Sequence, residues 1–399
     1  MTLDVLRDWR RHARVRRAAT VSVCALAACV PLWSGGLPLS FASQAAAMIV
    51  LAQSFQLLLG ETGLLSFGHA AYAGIGAFAA AYALNLAGSE HWPSPTPLLP
   101  LVGGLAGALG GATLGWFATR RGGIAFAMIT LGMGELLATG SAAWPAVFGG
   151  EGGISTDRTL GWSPFDLGPE RHAYGLIAVW AVLAVVAMRA LVRTPLGLAA
   201  HAVREQPVRA AFVGLDVARI RYRMMIASAA FAGVAGALMA IANEHVSGDA
   251  FGLGQSGAVL LAVVLGGASG WRGPLLGTLV YTGFAVALAT LTRAWPFYLG
   301  LLFIGVVSLS PAGLIDGIRV VRARITLMRA LAGAVLLAAL ILSIEMTYRL
   351  TVSADSGSLL TWGNVRFDAA TREPWQWAAV LWISGAAIWM VSLRREVRQ

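Results

Sequence analysis

Lysine is missing from all 399 residues, so every one of the 29 basic side chains is arginine. A chain without lysine has no Walker-type phosphate-binding loop, because that loop needs a lysine on the nucleotide phosphates. Charge of either sign is scarce at 12%, against the roughly 25% usual in soluble domains. Cysteine is limited to Cys24 and Cys29, both inside one apolar run, which forms neither a disulfide framework nor a metal pattern. His-Glu-x-x-His and clustered Cys/His sets are also absent, so the sequence offers no metal site and no metalloprotease chemistry.

What is present is apolar. Hydrophobic residues make up 57% of the chain and mean hydropathy is +0.71, the composition of an integral membrane protein. The net charge of +10 comes from arginines gathered at a few points. It therefore reports orientation in the membrane and anionic lipid, not nucleic acid. The 48 glycines fall largely in apolar runs, where small residues let helices approach closely.

Runs near the 20 residues needed to cross hydrocarbon cover 18–33, 39–59, 64–86, 98–119, 123–148, 174–191, 224–243, 256–268, 275–291, 295–309, 325–348 and 375–393. The run at 256–268 is short, and either reaches back to Phe251 or is partly re-entrant. Placing each arginine cluster inside gives about twelve crossings with both termini cytosolic. The clusters are Arg7 to Arg17, Arg120 and Arg121, Arg193 to Arg223, Arg319 to Arg329, and Arg394 to Arg398. The fold expected is all-α and polytopic, about ten core spans plus about two C-terminal ones. Residues 1–17 form a basic cytosolic segment followed by a retained first helix rather than a cleaved signal peptide. The main membrane domain is 18–318, and an added hairpin covers 319–399. The turn from Gly266 to Pro274 should break any helix, and 149–172 and 244–255 should be outer loops.

The cytosolic stretch 192–223 is the long mixed-polarity segment between two apolar blocks. Within it, residues 199–212 lack glycine, Pro207 suits a first helical turn, and Gly214 suits a helix stop. At membrane depth, Ser66-Phe67-Gly68-His69-Ala70-Ala71 and Gly74 place a hydroxyl, an imidazole and flexible backbone where polar groups usually face a cavity or a neighbouring helix. His69 is either a hydrogen-bonded packing residue or a pathway residue. Glu135, mid-span, has to pair, protonate or face water. Glu345 and Arg349 are spaced to pair along one helix.

The strings Ser66 to Ala71, Gly149-Gly150-Glu151-Gly152-Gly153-Ile154, Gly266 to Pro274 and Ser310-Pro311-Ala312-Gly313-Leu314 together resemble the permease subunits of ABC importers of the branched-chain amino acid type. So does the central loop, Ala202-Val203-Arg204-Glu205-Gln206-Pro207-Val208-Arg209-Ala210 with Gly214 beyond. The family more often has an acidic residue at the position of Pro207 and a basic one at Ala312. The resemblance spans residues 39–314.

It implies a transport subunit of the bacterial inner membrane that is not itself an enzyme and binds no cofactor. ATP and magnesium would sit on two partner ATPase subunits, contacted through Ala202, Val203, Arg204, Glu205, Gln206, Arg209, Ala210 and Gly214. A second permease subunit and an external solute-binding protein complete the implied assembly. Ser66, Phe67, Gly68, His69, Gly74 and Glu135 are the candidate pathway residues. A urea or amide importer of the same family, or an ion-coupled secondary transporter using Glu135, are the alternatives.

Overall fold

The computed structural model describes residues 37–90, 95–160, 166–268, 270–310, 313–314, 327–352, 359–362, 365–368, 375–384 and 386. The basic N-terminus, the expected first span at 18–33 and Arg319 to Arg324 lie outside the described residues. Two compact units are present, one holding residues up to Gly283 with 312–314 and the other holding 284–311 and 315–399.

The first unit is built on α1 (Leu37–Thr62), α2 (His69–Glu90), α3 (Leu99–Ala118), α4 (Ile124–Ala143), α5 (Glu170–Val192), α6 (Pro195–Glu205), α7 (Pro207–Phe212), α8 (Val217–Asn243), α9 (Leu253–Gly266) and α10 (Arg272–Thr282). The helices α1 to α5 and α8 are long and apolar enough to cross a membrane, and α8 is the central one, packing on α1, α2 and α3. The chain is thus a multi-pass membrane protein.

Composition dictates how these helices meet. A Cβ added at Gly233 of α8 would lie 2.1 Å from the Gly103 oxygen of α3, and one at Gly76 of α2 would lie 2.3 Å from the Gly233 oxygen. Backbone therefore touches backbone where three helices cross, so dispersion and close carbonyl approach replace the hydrophobic drive that lipid removes. Around this seam Phe55, Leu57, Leu58, Tyr72, Ile177 and Met224 fill a continuous buried core.

α9 has 14 residues, about 21 Å of rise, too short to cross hydrocarbon alone. A 3-10 turn, Gly248–Phe251, precedes it. The expected helix-breaking turn from Gly266 to Pro274 ends earlier than the sequence indicated. α10 already begins at Arg272, because Pro274 falls in its first turn, where a missing N–H costs nothing. Gln53 and Gln56 of α1 donate to the carbonyls of Trp271 (2.8 Å) and Ala268 (2.7 Å), fixing that turn against the core. The expected helix at 275–291 is α-helical only to Thr282 and then π-helical over Gly283–Leu288.

Strands were not expected, and two short ribbons are present. β1 (Ile154–Ser155) pairs antiparallel with β2 (His245–Val246), tying together the loop before α5 and the loop after α8. In the second unit, α11 (Trp295–Leu309) and α12 (Leu327–Val352) accompany β3 (Leu359–Trp362) paired with β4 (Val365–Asp368). The sequence signal for this hairpin was available: Gly363-Asn364 lies between two runs of strand-forming residues. Residues 375–384 are helical, within the expected last span.

Candidate functional site

The segment Ser66 to Ala70 forms the entry to α2 and is wedged between α1, α4 and α9. Gly68 is closely packed, since a Cβ there would stand 1.9 Å from the Thr130 carbonyl oxygen of α4. Phe67 N–H donates to the Thr130 hydroxyl at 3.2 Å, and Ala70 N–H donates to the Ser256 hydroxyl of α9 at 3.2 Å. Orphan amides at the start of α2 are thereby satisfied by side chains of other helices instead of a local cap. Gly74 leaves room for the Phe251 ring, which would be 2.5 Å from an added Cβ. Phe251 stacks on Phe78 at 5.2 Å and meets Phe148 edge-on at 5.8 Å.

His69 is fully buried. Its Nε2 lies 2.9 Å from the Ser54 hydroxyl, and that hydroxyl donates its own proton to the Leu51 carbonyl at 2.7 Å. With the Ser54 proton committed, the imidazole must carry its proton on Nε2 and donate. The Ser228 hydroxyl of α8 donates to the Ser54 carbonyl at 2.7 Å, so one short polar chain links α2, α1 and α8. Phe55 and Tyr72 meet the imidazole edge-on at 5.4 and 6.1 Å. Ser66 Oγ and His69 Nδ1 are buried with no hydrogen-bond partner among the described residues.

Glu135 is exposed on α4, and its Oε1 accepts from Leu253 N–H at 2.9 Å. Leu253 is the first residue of α9. The carboxylate thus sits on the positive end of a helix dipole, which offsets part of its cost at that depth. Thr130, Ser54, Ser256 and Phe251 were not singled out from the sequence. A lone hydroxyl in an apolar helix carries no local signal until its partner helix is known.

Residues 199–212 lie in two helices, and Pro207 opens the second of them, in the first helical turn where the sequence placed it. Residue Gln206 between them has φ −151° and ψ 88°, the extended conformation that the following Pro207 imposes, and Pro207 then opens α7 at its first position. Gly214 stops α7 with φ +88°. Its N–H reaches the Ala211 carbonyl and Leu215 N–H reaches the Ala210 carbonyl, each at 3.0 Å, the paired bonds of a Schellman motif.

Val203 and Ala210 are buried, and Ala202, Glu205, Gln206 and Arg209 are exposed. Arg204 donates through Nη1 to the Gly60 carbonyl at the end of α1, and His201 Nδ1 lies 3.8 Å from Glu61. α6 is therefore seated on the α1 terminus. α7 instead turns Val208, Ala211 and Phe212 outward, with Phe212 87% exposed. The candidate residues fall into two separate places: Ser66 to Gly74 with Glu135 at the α2, α4 and α9 junction, and Ala202 to Gly214 on the outward helix pair.

A bundle of apolar helices packed through glycine, with polar groups inside it and a helix pair beyond one end, defines a polytopic membrane protein. The chain belongs to the family of branched-chain amino acid transport system permease components, whose model matches residues 37–340. Over 242 residues it is 32% identical to the high-affinity branched-chain amino acid transport system permease proteins LivM of Salmonella typhimurium and Escherichia coli. The matched stretch is 55% of this chain and 56% of each relative, so the chain spans about half the length of the curated relatives it matches. No solved structure matches the chain.

Proposed function

We propose that this chain is the transmembrane permease subunit of an ATP-driven ABC importer for branched-chain or related small amino-acid-like solutes. The observation that carries this reading is the family match running through all six long spans and the α6–α7 pair. Its partners are two ATPase subunits on the cytosolic side, a second permease subunit and an external solute-binding protein. The ATPases hold ATP and magnesium, since this chain has no lysine for a phosphate loop.

The arginine clusters put Arg120, Arg121 and the 193–223 stretch in the cytosol and 149–172 outside. ATPase closure then pushes on the outward face of α7, and α6 passes the motion through Arg204 and Gly60 into α1. From there the Ser54 and His69 chain reaches α2 and α8. Ser66 to Gly74 and Glu135 border the solute path. Residues 1–17 are a basic cytosolic arm, and 319–399 is an addition to the permease domain, its first part to residue 340 still inside the family match.

The test is uptake of radiolabelled leucine into proteoliposomes holding this chain, its second permease and the ATPases, with binding protein outside. ATP-dependent uptake that stops without the ATPases is expected. Uptake driven by a proton or sodium gradient in vesicles holding this chain alone would overturn the reading.

A further inference from the structure

At one end of α3 a set of arginines gathers around an aromatic pair. Arg120 stacks over Trp116, its guanidinium carbon 4.7 Å from the ring centre. Trp116 meets Tyr222 of α8 edge-on at 5.6 Å, and Tyr222 donates to the Ala112 carbonyl at 2.9 Å. Arg221, next to Tyr222, lies against Gly122 so closely that a Cβ there would stand 2.8 Å from its Nη1. Arg121 is exposed in the same turn. The end of α3, the turn at 120–123 and the start of α8 thus bring Arg120, Arg121 and Arg221 together.

Among the described residues no carboxylate pairs with them. Asp216, the nearby acid on α8, is engaged with Arg219 at 3.4 Å and caps α8 by accepting from Arg219 N–H. Among the described residues Arg120, Arg121 and Arg221 make no ion pair, and Arg221 Nε is shut away from solvent with no hydrogen-bond partner. The planar donor fork of a guanidinium suits phosphate oxygens. α4 starts beside these arginines at Ile124 with no side chain capping its first amides, which adds a second anion-favouring feature.

Trp116, Phe117 and Ile124 next to the arginines are 50%, 66% and 79% exposed. Such a rim suits acyl chains and the headgroup level, where aromatic rings and arginine stems both settle. A soluble anion would leave these apolar surfaces unused.

We propose that the α3–α4 turn, with Arg221 from α8, is a binding site for the phosphate of an anionic phospholipid in the cytosolic leaflet. The lipid phosphate bridges α3, α4 and α8, of which α3 and α8 share the glycine seam of the bundle.

The test uses the full chain in phosphatidylcholine vesicles containing a trace of spin-labelled phosphatidylglycerol, with spin-labelled phosphatidylcholine as reference. A motionally restricted component selective for phosphatidylglycerol is expected. Each of Arg120→Gln, Arg121→Gln and Arg221→Gln should lower that selectivity up to about fivefold, the effect of one arginine at a membrane surface. Arg121→Lys should keep most of it. The exposed Arg121→Gln decides the matter if the other variants fold poorly.

Unchanged selectivity in a folded triple variant would overturn the proposal. So would full displacement by inorganic phosphate, which would mark a soluble-anion site. Loss of ATPase binding by the variants in pure phosphatidylcholine, with lipid selectivity intact, would assign the patch to a protein partner instead.

Discussion

Gly68 shows how little room a single position can leave. Its absent side chain lets α2 rest on the Thr130 carbonyl, and the 1.9 Å contact of an added Cβ is with backbone, which cannot rotate away. Gly68→Ala should therefore push α2 from α4 and cost about 1–3 kcal/mol. A lowered melting temperature of the purified chain in detergent checks it, and an unchanged one would show that the contact yields freely. Ser54→Ala tests the neighbouring polar chain. Removing the hydroxyl leaves the buried His69 N–H without an acceptor, about 1–3 kcal/mol, and should lower thermal stability while the double variant Ser54→Ala/His69→Phe recovers part of the loss.

Outside the bundle, Asp157 accepts from Thr159 through both backbone N–H and hydroxyl, at 2.8 and 2.7 Å. These bonds, the backbone one first, hold its carboxyl below the ordinary carboxylate value. Because the folded value is the lower one, this contribution is complete above the unfolded pKa and disappears as pH falls through the folded pKa. Asp157→Asn should make the 154–160 loop insensitive to acid in limited proteolysis, where the parent loop becomes more cleavable as pH drops. The proteolysis profile against pH reads it directly.

These residues divide by how local their cause is. Gly68 and His69 stood out in the sequence because a glycine and an imidazole are conspicuous in an apolar run. Ser54, Thr130 and Ser256 did not, because their importance comes from partners far away in the chain.

Among the elements, the α6–α7 pair is the one whose shape a single residue decides. Pro207 forces Gln206 into extended geometry, so α7 leaves α6 at an angle and turns Val208 and Phe212 outward. A helix start and the Gly214 stop were readable from sequence, and Gly214 does close a Schellman motif. The break at Gln206 was implied by the residue before a proline but was not drawn.

Pro207→Ala restores the N–H and removes the constraint, so α6 and α7 should fuse toward one helix. Spin labels at positions 199 and 212 should then report about 20 Å, the rise of thirteen residues in one helix, where the parent gives a shorter and broader distribution. ATP-driven uptake should fall at least several-fold with the chain still inserted. A fused helix with unchanged uptake would separate the angle from the coupling.

The strands show the opposite limit. β1 and β2 are two residues each and separated by most of the chain's middle, so no periodicity could reveal them. β3 and β4 are separated in sequence by a Gly-Asn dipeptide, a local signal that a reading by hydropathy passes over.

For the whole molecule, hydropathy was enough to place the six long helices to within seven residues at each end, since span length is set by bilayer thickness. It fared worse where a segment is half-length, as at α9, or changes helix type, as after Thr282. The second unit has its own internal support. Thr292 donates to Glu345 at 2.7 Å, Tyr298 donates to the Ile341 carbonyl at 3.4 Å, and Trp382 Nε1 donates to Ser343 at 3.2 Å. Leu342, Met346 and Ala378 form its small buried cluster.

The α11 stretch is therefore braced by α12, and α12 by the helix at 375–384. Truncation after Arg324 removes the partners of both Thr292 and Tyr298, whereas truncation after Val352 keeps them and removes only Trp382 and Ala378. If 319–399 supports the permease without lining its path, both truncated chains should still sustain ATP-dependent uptake in assembled complexes. The shorter one should melt several degrees lower, and the longer one should lie between it and the full chain. Equal melting of all three would remove the bracing role. Lost uptake from a fully assembled, thermally intact complex truncated after Val352 would place the last segment in the transport mechanism itself.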